Sequence, residues 1–131
     1  MISHISPEEV IALHDGLIAR YGGLSGMSDA GRVEALVSRV INRELYEGET
    51  DIYALAALYL VAISRGHVFN DANKRTAFNT MMLFLRRNGM RFTDGPQWED
   101  LTVRAATGEL SPAEVAQQLH AMQYTCSPRP R

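Results

Sequence analysis

Apolar residues recur at helical spacing along most of the chain, in stretches separated by polar or glycine-containing breaks. Ser6-Pro7-Glu8-Glu9 combines an N-cap serine, a proline at the first helical position and a glutamate placed to complete a capping box. Val10, Leu13, His14 and Leu17 follow at helical spacing, and Tyr21-Gly22-Gly23 supplies a stop. A second helix, capped by Ser28 or Asp29, carries the stripe Val33, Leu36, Val37 and Val40. From Asn42 to Thr50, the residues Arg43, Glu44, Glu47, Gly48 and Glu49 break the period, which predicts an exposed connection.

From Asp51 onward, Ile52, Leu55, Ala56, Tyr59, Leu60 and Ile63 mark one face of a third helix. Ala54, Ala57 and Val61 keep the rest apolar, so this helix should be central and mostly buried. A polar run of nine residues, His67 to Arg75, interrupts the pattern. Phe78, Met81, Met82 and Leu85 then resume it up to Asn88-Gly89. Asp94-Gly95-Pro96 is a turn, and Trp98, Leu101 and Ala105 mark a fifth helix closed by Gly108. Ser111-Pro112-Ala113-Glu114 repeats the capping device and leads into Val115, Leu119 and Met122. Strand-like alternation does not persist, so the pattern predicts an all-α domain of about six helices over residues 1–126. Residues 127–131, with two prolines and two arginines, read as a flexible C-terminal tail.

A chain of 131 residues can bury one core without help from a metal or disulfide. At 46% hydrophobic and 21% charged residues it is too apolar to stay disordered. A net charge of −2 removes the broad electrostatic case for nucleic-acid binding. The weaker binding-module alternative rests on Arg65, Lys74, Arg75, Arg86 and Arg87 as a local basic cluster. Cys126 is the single cysteine, which excludes an intrachain disulfide and a cysteine-rich zinc site and suits a reducing cytoplasm. The N-terminus lacks a basic segment followed by an apolar stretch, and no run approaches the ~18 apolar residues of a membrane span.

The polar run carries the candidate chemistry. If Asn70 or Asp71 caps the following helix, the next backbone N–H groups lack intrahelical partners and form an anion hole. Lys74 and Arg75 then fall in the first turn, where the helix dipole disfavours cations by roughly 0.3–1 kcal/mol each. A bound phosphate resolves that conflict; pairing with Asp71 or facing solvent is the plainer solution. Asp71 can act as a simple N-cap, or as the single carboxylate that a magnesium ion needs beside phosphate oxygens and water. His67 can take a proton from an incoming hydroxyl, a role worth about 10²–10⁴ in rate. Phe69 anchors the loop, and Asn73 either binds the loop backbone or orients His67. Asn79 shares a helix stripe with Arg75, and Arg65 is within reach of the same pocket.

His67-x-Phe69-x-Asp71-Ala72-Asn73-Lys74-Arg75 resembles the Fic-family motif, His-Pro-Phe-x-Asp/Glu-Gly-Asn-Gly-Arg-x-x-Arg. Val68, Ala72 and Lys74 depart from it, and Phe78 stands where the final arginine belongs. These departures resemble the Doc branch, the toxins of plasmid and phage addiction modules. The likeness extends to His4-Ile5-Ser6-Pro7-Glu8-Glu9, Arg20-Tyr21-Gly22-Gly23-Leu24 and Leu83-Phe84-Leu85-Arg86-Arg87-Asn88-Gly89.

The resemblance implies a Fic fold with a central helix-loop-helix bearing the motif. Most Fic proteins transfer AMP from ATP to a protein hydroxyl. The Doc branch binds ATP in the reversed sense and phosphorylates a threonine of elongation factor Tu, which arrests translation. Carried over by position, His67 is the catalytic base and Asp71 the Mg2+ ligand. Asn73, Lys74 and Arg75 form the phosphate cradle, with Asn79 and Arg65 as further contacts. The implied partner is a Phd-type antitoxin whose C-terminal helix enters a groove, expected beside exposed apolar residues on the first two helices.

Overall fold

The computed structural model describes residues 2–27 and 30–126. The described residues form α1 (Pro7–Tyr21), α2 (Ala30–Glu47), α3 (Ile52–Gly66), α4 (Asn73–Arg87), α5 (Gln97–Thr107) and α6 (Pro112–Cys126). The expected all-α architecture with six helices is what forms. Met27 and Phe69 make an isolated antiparallel bridge, and no strand occurs among the described residues. The cap expected at Ser28 or Asp29, and the tail at 127–131, lie outside the described residues.

Local signals start the outer helices. In α1 the Ser6 hydroxyl accepts the Glu9 N–H at 3.1 Å while the Glu9 carboxylate accepts the Ser6 N–H at 2.9 Å. Ser111 and Glu114 repeat the same reciprocal pair at the start of α6, at 3.1 and 2.9 Å. Such boxes satisfy donors that a helix start otherwise leaves open. Asp51 caps α3 by accepting the Tyr53 N–H at 3.0 Å.

The apolar character of α3 on nearly all sides requires neighbours on all sides. It packs against α2, α4, α5 and α6, while α4 also meets α1 and α5. Leu55, Leu60, Met81, Phe84 and Leu85 are fully buried where α3 and α4 meet. Removing any one of these side chains would cost roughly 2–5 kcal/mol. Phe78 and Met82, expected on the α4 core stripe, are only half-buried, and Ala77 and Phe84 take the innermost places. This rotation leaves Phe78 at the rim of a cavity.

The polar stretch read as a connection from Asn42 onward is helical up to Glu47. Arg43 and Glu47 pair across one turn at 3.4 Å, and Glu44 receives the His4 ring nitrogen Nε2 at 2.6 Å. The other ring nitrogen of His4 meets the Tyr59 hydroxyl at 2.8 Å, and that oxygen also accepts the Ile5 N–H. Burial pushes the Tyr59 phenol up to about 12, so it stays a neutral O–H. The helix is therefore extended by a partner 40 residues away. The turn comes at Gly48, whose φ of +74° suits glycine.

Candidate active site

The link between α3 and α4 lies at one end of the core. Gly66 ends α3, and its carbonyl accepts the Arg32 guanidinium at 2.7 Å. His67 takes the left-handed conformation (φ +50°, ψ +39°), and its side chain is exposed. Val68 and Phe69 turn inward and are buried. Asn73 clamps this turn with both ends of its amide: Oδ1 accepts the Phe69 N–H at 3.2 Å and Nδ2 donates to the Phe69 carbonyl at 3.0 Å. Of its two expected roles, Asn73 performs the backbone one; its amide does not orient His67.

Neither Asn70 nor Asp71 caps α4. The N-cap is Ala72, left-handed at φ +63°, with no side-chain cap hydrogen bond. Asn70 turns instead to the segment after α1, its amide donating to the Ser25 carbonyl at 3.0 Å and its N–H to the Gly26 carbonyl at 3.1 Å. Asp71 accepts the Ala72 N–H at 2.8 Å through Oδ1 and the Leu24 N–H at 3.2 Å through Oδ2. The first backbone bond of α4 runs from Thr76 N–H to Ala72 O at 2.9 Å. The N–H groups of Asn73, Lys74 and Arg75 thus have neither a side-chain cap nor an intrahelical acceptor. The anion hole is more open than a capped helix would leave it.

The hydrogen bonds from Ala72 and Leu24 hold the Asp71 carboxyl below its ordinary range, with the Arg75 charge adding to them. Its close fit depends on Gly23. A Cβ there would lie 2.6 Å from Asp71 Oδ2, and the φ of +120° is one that other residues rarely adopt. Behind the loop, His14 is fully buried and stacks on Phe69 with ring centres 3.9 Å apart and planes 8° apart. Its Nε2–H donates to the Asp71 carbonyl at 2.9 Å. Sequence reasoning placed His14 on the stripe of the first helix and gave it no role in the site. The available signal was a titratable ring on an otherwise apolar stripe, which burial obliges to find a partner.

A cavity of about 470 Å³ gathers His67, Asp71, Asn73, Lys74 and Arg75, with Val103, Ala106 and Thr107 of α5 across from them. Lys74 and Arg75 are exposed, form no ion pair among the described residues, and share a first turn that contains no acid. The Arg75 guanidinium also lies 5.8 Å from the centre of the Tyr21 ring.

Two expected contacts are absent from this cavity. Arg65 donates to the Ala105 and Leu110 carbonyls at 2.8 and 2.7 Å, tying down the end of α5. Asn79 donates back to the Arg75 carbonyl at 2.8 Å, and it does not line the cavity. The supposed basic cluster also disperses, because Arg65 is held by those carbonyls and Arg87 pairs with Glu9.

The donor set is informative about metal. No group of three or more His, Cys, Asp or Glu residues could hold an ion among the described residues. Asp71 offers one ionised carboxylate beside an anion hole, which fits a magnesium ion that arrives with nucleotide phosphates.

A model of the Fic/DOC family matches residues 4–85, which include α1 to α3 and the whole motif up to Leu85 of α4. The chain belongs to the Fic/Doc family. Among its relatives in this family is "Protein kinase doc" of Escherichia phage P1, 60% identical over 119 residues that cover 91% of this chain and 94% of the relative. "Toxin Doc" of Mycolicibacterium smegmatis is 30% identical over 126 residues, covering 91% and 92% respectively. The Fic/Doc motif thus coincides with the cavity built around His67 and the start of α4. Among the described residues no helix is long and apolar enough to cross a membrane.

Proposed function

We propose that this Fic/Doc chain is the toxin of a toxin–antitoxin module, working in the cytoplasm as a protein kinase. It transfers the terminal phosphoryl group of ATP to a threonine hydroxyl of elongation factor Tu and so arrests translation. The observation that carries this reading is the uncapped, cationic start of α4, which shares one cavity with the exposed imidazole of His67.

Phosphoryl transfer asks chiefly for positioning and charge stabilisation. In its neutral form His67 accepts the proton of the threonine hydroxyl as that oxygen attacks the terminal phosphorus. The new O–P bond forms, the bridging P–O bond breaks, and ADP departs with the bond's electrons. The N–H groups of Asn73, Lys74 and Arg75 and the two cationic side chains meet the charge on the phosphoryl oxygens. Magnesium, held by Asp71 and phosphate oxygens, would neutralise part of the polyphosphate charge. Phe78 offers no charge for outer phosphates, which disfavours AMP transfer, and the relative named a protein kinase agrees with this preference.

A Phd-type antitoxin is the proposed partner, its C-terminal helix lying in a groove of the toxin. Exposed Tyr21, Leu24, Leu45 and Tyr46, at and beyond the ends of the first two helices, supply apolar surface for it. Induced expression of the chain should stop protein synthesis and add one phosphoryl mass to elongation factor Tu. His67→Ala should do neither while keeping the helical circular dichroism; arrest that persists in this variant would overturn the role of His67.

A further inference from the structure

A second cavity of about 470 Å³ adjoins the first, sharing Lys74, Arg75 and Val103 with it. Its character is different. Phe78 and Trp98, with ring centres 5.9 Å apart, form its apolar part, and Asp94 and Glu99 are the carboxylates in its lining. The Trp98 indole is fixed by a hydrogen bond from Nε1 to the Thr93 carbonyl at 2.8 Å. Phe78 lies one helical turn beyond Lys74, about 6 Å along the axis of α4.

We infer that this cavity receives the purine base of the phosphoryl donor, an inference that rests on the kinase reading above. An aromatic, apolar chamber of this size matches the base and sugar of a nucleotide. The charges set the direction. Asp94 and Glu99 repel phosphates and accept N–H donors such as a purine amino group. Lys74 and Arg75, on the boundary between the cavities, attract phosphates and direct the polyphosphate toward His67 and the α4 amides.

The same layout is compatible with transfer of the terminal phosphorus. His67 and Asp71 are absent from the base cavity, and the two cations stand between. A base seated beside Phe78 leaves the polyphosphate to span that boundary toward His67. Phe78, in the place of the motif's final arginine, then has a positive role as a wall of the base site.

Trp98 is the single tryptophan of the chain, so its emission reports on this cavity without any dependence on catalysis. ATP, ADP and adenosine should quench it saturably in the presence of magnesium, whereas inorganic tripolyphosphate should compete with ATP without quenching. Phe78→Ala should weaken ADP and adenosine about tenfold, the scale of one lost base–aromatic stack, and leave tripolyphosphate inhibition unchanged. The surface double variant Asp94→Asn, Glu99→Gln should narrow the preference for ATP over inosine triphosphate, whose base has a carbonyl in place of the amino group. Unchanged adenosine affinity in Phe78→Ala with unchanged base preference in the double variant, or equal quenching by tripolyphosphate, overturns the base site. Wild-type protein that binds adenosine in this way but transfers no γ-phosphate would instead overturn the kinase reading, so the two failures are distinct.

Discussion

His14 on α1 donates a hydrogen bond from Nε2 to the backbone carbonyl of Asp71, 2.9 Å away, while its ring lies flat on Phe69. This contact joins the first helix to the residue proposed to hold magnesium. A residue that fixes the backbone of a metal ligand typically influences affinity or activity about ten- to a hundredfold. His14→Phe keeps the ring stack and removes the donor. We expect it to fold, to lose roughly 1 kcal/mol because a partly buried carbonyl is left without its partner, and to raise the magnesium concentration needed for half-maximal activity. Denaturant unfolding and a magnesium titration check both effects; a stability loss with an unaltered magnesium requirement would make the contact purely structural.

Gly23 permits the carboxylate of Asp71 to sit against the segment that follows α1. An alanine Cβ would meet Asp71 Oδ2 at 2.6 Å and Ile18 Cδ1 at 3.1 Å, at a φ of +120°. Gly23→Ala should therefore cost about 1–3 kcal/mol of strain and displace the carboxylate. The measurements are unfolding stability and nucleotide binding with and without magnesium. The magnesium-dependent part of binding should fall more than the magnesium-independent part.

Ala72 caps α4 in a left-handed conformation without a side-chain hydrogen bond. That backbone disfavours any residue with a Cβ by about 1–2 kcal/mol, partly offset by the greater freedom of glycine in the unfolded chain. Ala72→Gly should accordingly stabilise the protein by roughly 0.5–1 kcal/mol and raise Tm by a few degrees, with the motif geometry retained. A lowered Tm would show that the alanine methyl packs favourably enough to outweigh its backbone conformation.

The six helices and their order were legible because their signals are local. Ser6-Pro7-Glu8-Glu9 and Ser111-Pro112-Ala113-Glu114 state their caps within four residues, and the reciprocal bonds form as read. His67, Asp71, Lys74 and Arg75 were legible as a cluster because one loop and one helical turn bring them together. What escaped was tertiary. The end of α2 depends on His4 reaching Glu44, the fate of Arg65 on carbonyls of α5 and the loop after it, and the role of His14 on a loop 57 residues later. Asn70 and Asp71 fit the composition of an N-cap, yet both side chains are drawn to the Leu24–Ser25 segment or to the Ala72 N–H. Periodicity contains no term for such partners.

Glu9 completes the first capping box and also receives the Arg87 guanidinium, whose Nη1 lies 2.9 Å from Oε1. That hydrogen bond, followed by the one to Ser6, lowers the Glu9 carboxyl from 4.5 to about 2. A carboxyl depressed in the folded state contributes stability above its unfolded pKa and loses it as pH falls through the folded value. The contribution of Glu9 is thus complete above about pH 4.5 and disappears toward about pH 2. Both partners are about one-third exposed, so salt should reduce the effect. Denaturant midpoints measured from pH 6 to 2 should fall less steeply for Glu9→Gln than for the wild type, and the difference should shrink in high salt.

The central claim concerns which end of ATP enters the hole at the start of α4. Wild-type protein, magnesium and elongation factor Tu should be incubated with ATP labelled at the γ-phosphate and, separately, at the α-phosphate. The account predicts γ-label on a threonine of the factor, no α-label, and neither label with His67→Ala. Transfer of α-label would contradict it and make this chain an AMP transferase.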